Sequence, residues 1–153
     1  NEIRQNPSDS YQLLFTSRLY EFLYHLCRSY SHQIPSASLT GSQRDLQRVT
    51  HVMNWVKVHY PEPLSLETAA DSLALSKEYF CRLFKKYTGQ TFLEYLNDVR
   101  TMHLYEDLQN SDETITVLME KNGLSNYKIF MRTFKKLYGS TPQKMRSNRI
   151  RHV

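Results

Sequence analysis

Read for the alternation of apolar and polar positions, the chain falls into segments of helical period, and one ten-residue segment occurs twice. Phe80–Gly89 reads FCRLFKKYTG and Phe130–Gly139 reads FMRTFKKLYG, which share F-x-R-x-F-K-K-x-x-G at an offset of 50 residues. In the first, Phe80, Leu83, Phe84 and Tyr87 fall at i, i+3, i+4 and i+7 and make one apolar stripe. Glu78, Cys81, Arg82 and Lys85 occupy the opposite side. In the second, Phe130, Phe134 and Leu137 make the stripe, and Lys128, Met131, Arg132 and Lys135 face away from it. Both segments are predicted to be helices that stop at Gly89 and Gly139, since glycine tolerates the left-handed turn just past a helix. Each helix is then apolar on one side and basic on the other.

The flanks repeat as well. Before the first segment, Ser65 offers a cap to a short helix whose inner side is Leu66, Ala69 and Ala70; Ala74 and Leu75 make a turn, and Ser76 caps the basic helix. Before the second, Thr114 opens a short helix with Ile115, Leu118 and Met119 at an offset of 49, and Gly123 and Leu124 make the turn. One extra residue after that turn brings the offset to 50. A short helix, a tight turn and a basic helix spell a helix-turn-helix, here present twice. Between the two, Thr91 to about Asn110 reads as one long helix with Phe92, Tyr95, Leu96, Val99, Met102 and Leu108 on its apolar side. Its length is roughly 30 Å at 1.5 Å per residue.

Upstream, Gln43 to His59 is predicted helical, with Leu46, Val49, Val52, Met53 and Val56 on one face, a Ser42–Asp45 capping box at its start, and Pro61 and Pro63 stopping it. Residues 31–45 lack periodicity and read as a linker. From Tyr11 to about Tyr30 another helix is expected, in which Phe15, Leu19, Phe22 and Leu26 have the four-three spacing of a helix–helix seam. That seam fits either an ordinary packed helix or a dimerisation helix. Downstream, Thr141-Pro142 starts a final helix with Lys144, Arg146, Arg149 and Arg151 in a basic tail, a specific contact or a solvated terminus.

Composition agrees with an all-α fold: four glycines and five prolines in 153 residues leave little room for a turn-rich sheet protein. The net charge of +5 is unevenly placed. Residues 1–45 hold four basic and four acidic side chains, leaving sixteen basic and eleven acidic ones to the rest. A basic part beside a neutral part points to a polyanion-binding module joined to something else. A basic helix fits the major groove of DNA, and about 30 Å of connector is close to the ~34 Å between successive major-groove faces on one side of the duplex.

Residues from about 46 to 149 resemble the DNA-binding domain of the AraC/XylS family of bacterial transcription regulators, through LSLETAA, SKEYFCRLFKKYTGQTF, EYL with Arg100, NGL, the second basic segment and STPQKMR. The resemblance implies a seven-helix, all-α module of two helix-turn-helix units joined by the long helix. It implies base-facing roles for Lys77, Glu78, Cys81 and Arg82 in the first unit and for Tyr127, Lys128, Met131 and Arg132 in the second. Ser76, Lys85, Lys86, Lys135 and Lys136 would lie toward the phosphates. Arginine is the commonest reader of guanine, and lysine supplies sequence-blind charge. Cys81 and Met131 can offer only apolar contact, or serve as packing filler. Met119, Leu124 and Leu104 depart from the alanine, phenylalanine and alanine usual in the family, so repacking around them is expected.

Residues 1–41 resemble the helical tail of the family's sensory and dimerisation domain plus linker, with the DNA-binding domain at 42–153. The implied function is a sequence-specific transcription regulator, an activator by preference, with two recognition helices in successive major grooves. The implied partners are double-stranded DNA, RNA polymerase and, through the 11–30 helix, a second copy. The chain opens at Asn1 rather than Met, as a piece of a longer protein would. A small-molecule effector, often a sugar in this family, would bind a β-barrel preceding these residues. The competing reading is a non-specific nucleic-acid or partner-binding helical protein with the same basic faces.

An enzyme is disfavoured. The DNA-repair methyltransferase regulators that carry a related module need a zinc-bound cysteine in a cysteine-rich segment. Cys27 and Cys81 are the only cysteines, and His25 and His32 near Cys27 do not complete a metal site. No metal or cofactor is expected. The two cysteines show no disulfide spacing, no apolar run approaches the ~18 residues of a membrane span and no signal peptide is visible, so a reducing cytoplasm is the expected compartment.

Overall fold

The structure is a computed structural model that describes Leu19, Glu21, Phe22 and residues 40–150, the last three of these by their backbone alone. The chain divides into two compact units, Asn1–Ser42 and Gln43–Val153. In the first, Leu19 and Phe22, two members of the expected seam, are helical and exposed. Phe15 and Leu26, with the rest of the 11–30 helix, Cys27, His25, His32 and the linker through residue 39, lie outside the described residues.

Among the described residues all regular structure is α-helical. The order is α1 (Gly41–His59), α2 (Leu66–Asp71), α3 (Lys77–Thr88), α4 (Phe92–Asn110), α5 (Ile115–Lys121), α6 (Tyr127–Tyr138) and α7 (Pro142–Ile150). The caps are largely those the sequence announces. Ser65 and Thr68 form a reciprocal capping box on α2, and Thr91 and Glu94 form another on α4. Ser76, Thr114 and Asn126 cap α3, α5 and α6. Both basic helices end in a left-handed glycine, Gly89 at φ 77° and Gly139 at φ 67°.

The predicted start of α1 is different. The helix already runs from Gly41, so Ser42 lies inside it rather than at its cap. Asp45 accepts from the Arg48 guanidinium at 3.4 Å and from the Tyr79 hydroxyl at 3.4 Å. Leu46, expected on the inner face, is 51% exposed. The core reaches only as far back along α1 as Val49.

Two apolar cores are built on α4. Val49, Val52 and Val56 of α1, Ala69 and Ala70 of α2, and Phe80, Leu83 and Phe84 of α3 close over Phe92, Leu96 and Val99. Leu118, Met119, Leu124, Phe130 and Phe134 close over Leu104 and Leu108. Each fully buried phenylalanine contributes about 1.5–3 kcal/mol relative to exposure. Leu104, Met119 and Leu124, the three departures from the family pattern, all belong to the second core, where two larger side chains and one smaller one share a single space.

The buried side of α4 changes between the cores. From Val99 to Leu104 is five residues, about 140° of rotation at 3.6 residues per turn. A single apolar face was therefore the wrong expectation. Met102 lies outside both stripes, toward the opposite side of the helix, and is 51% exposed. In the last turn of α6 Leu137 is likewise exposed, and Tyr138 turns inward instead, its ring stacked on Tyr105 of α4 at 4.2 Å.

Candidate nucleic-acid interface

The turn between α2 and α3 and the turn between α5 and α6 are made by the same hydrogen bonds. In the first, the Leu75 amide donates to the Ala70 carbonyl at 3.1 Å and the Ala74 amide to Asp71 at 3.0 Å. In the second, Leu124 donates to Met119 at 2.8 Å and Gly123 to Glu120 at 3.1 Å. Ala74 at φ 52° and Gly123 at φ 71° occupy the same left-handed position. Each turn delivers the chain to a cap and then to a helix whose aromatic side is buried and whose other side meets solvent.

In the first unit, Ser76, Lys77, Glu78, Cys81, Arg82, Lys85 and Lys86 are all exposed on α3 or its cap. In the second, Tyr127, Lys128, Arg132, Lys135 and Lys136 are exposed on α6. Met131 is the exception. It was expected to face away from the stripe, but it is half-buried and packed against the second core. Its long, flexible side chain fills space beside that core, where the shorter Cys81 at the matching position stays in solvent.

The cations are not equivalent. Lys77 Nζ lies 2.5 Å from Glu67 Oε1 of α2, and Lys136 Nζ lies 3.3 Å from Asp98 Oδ2 of α4. The lysine beside it holds the Glu67 carboxyl below its ordinary range, and Glu67 in turn raises Lys77. Arg82, Lys85, Lys128, Arg132 and Lys135 have no carboxylate partner among the described residues. Lys86 Nζ sits 5.4 Å from the centre of the Tyr87 ring. Arg132 and Lys136 also border a cleft of about 340 Å³ with Glu94, Asn97 and Asp98. The field of Lys136 and Lys85 reaches Glu94, whose carboxyl is held below its ordinary range mainly by the Thr91 amide and hydroxyl.

Two unlinked sets of side chains were not foreseen. Glu67 and Asp98, internal partners of two of the expected cations, have no local spacing to reveal them, since they reach their lysines across different helices. Arg100 likewise carries no local signal of its contacts. Its half-buried guanidinium donates from Nε to the Tyr60 carbonyl at 2.7 Å and from Nη2 to the Glu62 carbonyl at 2.6 Å. In the basic tail Lys144 is exposed and Arg146 is half-buried, while the side chains of Arg149 and Arg151 lie outside the described residues. Among the described residues no group of three His, Cys, Asp or Glu is placed to hold a metal, and no helix is long and apolar enough to cross a membrane.

Comparison with known proteins adds lineage to this geometry. Residues 69–148, more than half of the chain, match a family described as a helix-turn-helix domain. An uncharacterized HTH-type transcriptional regulator of Staphylococcus aureus is 33% identical over 102 residues, covering 67% of this chain and 14% of that protein. The HTH-type transcriptional activator RhaS of Escherichia fergusonii is 31% identical over 111 residues, covering 72% of this chain and 40% of that protein. The chain thus spans well under half the length of either relative. Among solved structures, the DNA-binding domain of AdpA, a global transcriptional factor crystallised with a target DNA, superposes with a TM-score of 0.60 at 25% identity, covering 66% of this chain and 91% of that one.

Proposed function

Because the chain belongs to the AraC family of helix-turn-helix DNA-binding transcription regulators, we propose that it reads an asymmetric DNA site of two segments, α3 in one major groove and α6 in the next. The observation that carries this reading is the duplication: two turns with the same hydrogen bonds each present an exposed basic helix on one connector. The connector α4 has 19 residues, about 28 Å at 1.5 Å per residue, near the repeat of the duplex.

In this reading Arg82 and Arg132 read base edges, supported by Lys77, Glu78, Cys81, Tyr127 and Lys128. Met131 contributes at most its exposed edge. Lys85, Lys86 and Lys135, with the capped amide end at Ser76, hold the phosphates. Lys136 shares its charge between the backbone and Asp98. Residues 42–153 form the DNA-binding domain, and residues 1–41 are the tail of a sensory and dimerisation domain. Activation, contact with RNA polymerase and response to a small-molecule effector belong to the whole protein. RhaS, a relative named as an activator, favours activation over repression.

The test is selection from pooled random duplexes followed by gel-shift titration. Enrichment of one motif with two conserved segments about one turn apart supports the reading. Binding with a steep salt dependence and no enriched motif assigns the chain to non-specific nucleic-acid binding instead.

A further inference from the structure

α4 has a third functional side besides its two apolar stripes. Arg100, His103 and Asp107 follow at i, i+3 and i+7 and so share one polar stripe. Arg100 donates to the Tyr60 and Glu62 carbonyls in the segment that follows α1. The His103 ring stacks on the Tyr60 ring, 4.0 Å between centres and 5° from parallel. Asp107 Oδ2 accepts at 2.7 Å from Nδ2 of Asn122, a buried residue in the turn of the second unit, and its charge also raises the Tyr60 phenol beyond the effect of burial. At that turn the second unit meets the segment between α1 and α2 directly. A Cβ on Gly123 would stand 2.6 Å from the Pro61 carbonyl oxygen and 3.1 Å from the Arg100 guanidinium.

The two cores each hold one unit to α4 by apolar contact, which is non-directional and tolerates small rotations. The junction is different in kind. It uses directional hydrogen bonds to main-chain carbonyls and a backbone approach that admits only glycine. It also makes no use of the residues assigned to DNA. Adding one base pair between two bound segments would require the second unit to move about 3.4 Å and turn about 35° relative to the first. A locked junction cannot follow.

We propose that Arg100, with His103 and the Gly123 approach, is a positioning residue that sets the spacing between the two DNA segments the chain accepts. The proposal rests on the two-segment reading above. It predicts that losing the clamp leaves each helix-turn-helix unit able to bind its own segment, while the requirement for one spacing relaxes.

The experiment uses the 153-residue chain, the selected duplex, versions with one or two base pairs inserted or removed between the segments, and duplexes carrying either segment alone. For Arg100→Gln, the affinity for each single segment should stay within about two-fold of the wild type. The discrimination against a one-base-pair change should fall by roughly five-fold or more, the low end of ordinary coupling between sites. A folded Arg100→Gln protein, judged by circular dichroism, that keeps the wild-type spacing profile overturns the proposal. So does a wild type that binds both segments with no spacing preference, an outcome that leaves the DNA reading standing. A wild type that enriches no motif defeats the DNA reading itself, and this proposal with it. If Arg100→Gln fails to fold, His103→Leu, which removes the stack without stranding a carbonyl, is read by the same outcomes.

Discussion

The first and second helix-turn-helix units are copies in backbone and contrasts in what surrounds them. In the first, the two inner residues of the short helix are Ala69 and Ala70, and α1 supplies three valines to the core that forms there. In the second the same positions hold Leu118 and Met119, the preceding helix α4 supplies Leu104 and Leu108, and Met145 of α7 packs at the edge. The turns show the difference most plainly. Ala74 takes a left-handed conformation in the first turn although alanine pays about 1–2 kcal/mol for it, while Gly123 takes it in the second. Ala74 is itself exposed, between Leu73 and Leu75, which pack on the first core. At Gly123 the Pro61 carbonyl occupies the space a methyl would need. The lesson is that a repeated motif keeps its hydrogen bonds, while its residue choice answers to the neighbours of each copy.

Substitutions can break this contrast in order of size. Phe84→Ala in the first core and Phe134→Ala in the second should each cost about 3–5 kcal/mol in urea denaturation, because both rings are fully buried. A much smaller loss at either site would mean that its core collapses around the gap. Gly123→Ala should destabilise by about 2–4 kcal/mol, from left-handed strain plus the displaced Pro61 backbone. Ala74→Gly should have the opposite sign, a gain of up to about 1 kcal/mol, since relief of strain outweighs the added freedom of the unfolded chain. Equal effects at the two turns would erase the distinction between them.

On DNA, Arg132→Ala should cost on the order of 1–3 kcal/mol and relax preference at one base position. Lys135→Ala should weaken all sequences alike and lower the slope of log affinity against log salt by about 0.9. Asp98→Asn should do the reverse, steepening the slope by freeing Lys136 from its internal partner. An unchanged slope in both variants would remove these lysines from the phosphate contacts. The smallest effect concerns the cap of α4. The folded Glu94 carboxyl titrates below its ordinary value, so its support for the helix is complete above that value and is lost as pH falls through the lowered one. Glu94→Gln should flatten this acid limb of the stability–pH curve.

Much of this architecture is legible from local pattern. The duplicated phrase, the two turns, the caps at Ser65, Ser76 and Thr114, the terminal glycines and the proline stop after α1 are all consequences of interactions within a few residues of chain. The exposed cations of α3 and α6 follow from the same periodicity. Where a side chain's environment depended on a distant partner, the pattern misled. Leu46, Met102 and Leu137 look like core residues and are exposed, because among the described residues no neighbouring helix covers their side of the helix. Met131 looks like a surface residue and leans on the core.

By itself, then, the sequence determined that residues 41–150 are helical, where α1 to α7 begin and end to within a few residues, and that one helix-turn-helix motif is present twice. Those features are set by backbone hydrogen bonds and by 3.6-residue periodicity, which act along the chain. Only the tertiary structure decided which side of α4 each unit occupies, which lysines are already paired with acids, and that Arg100 and Gly123 meet the segment after α1. Such contacts join residues tens of positions apart, and no periodicity along one helix encodes the neighbour that another helix brings.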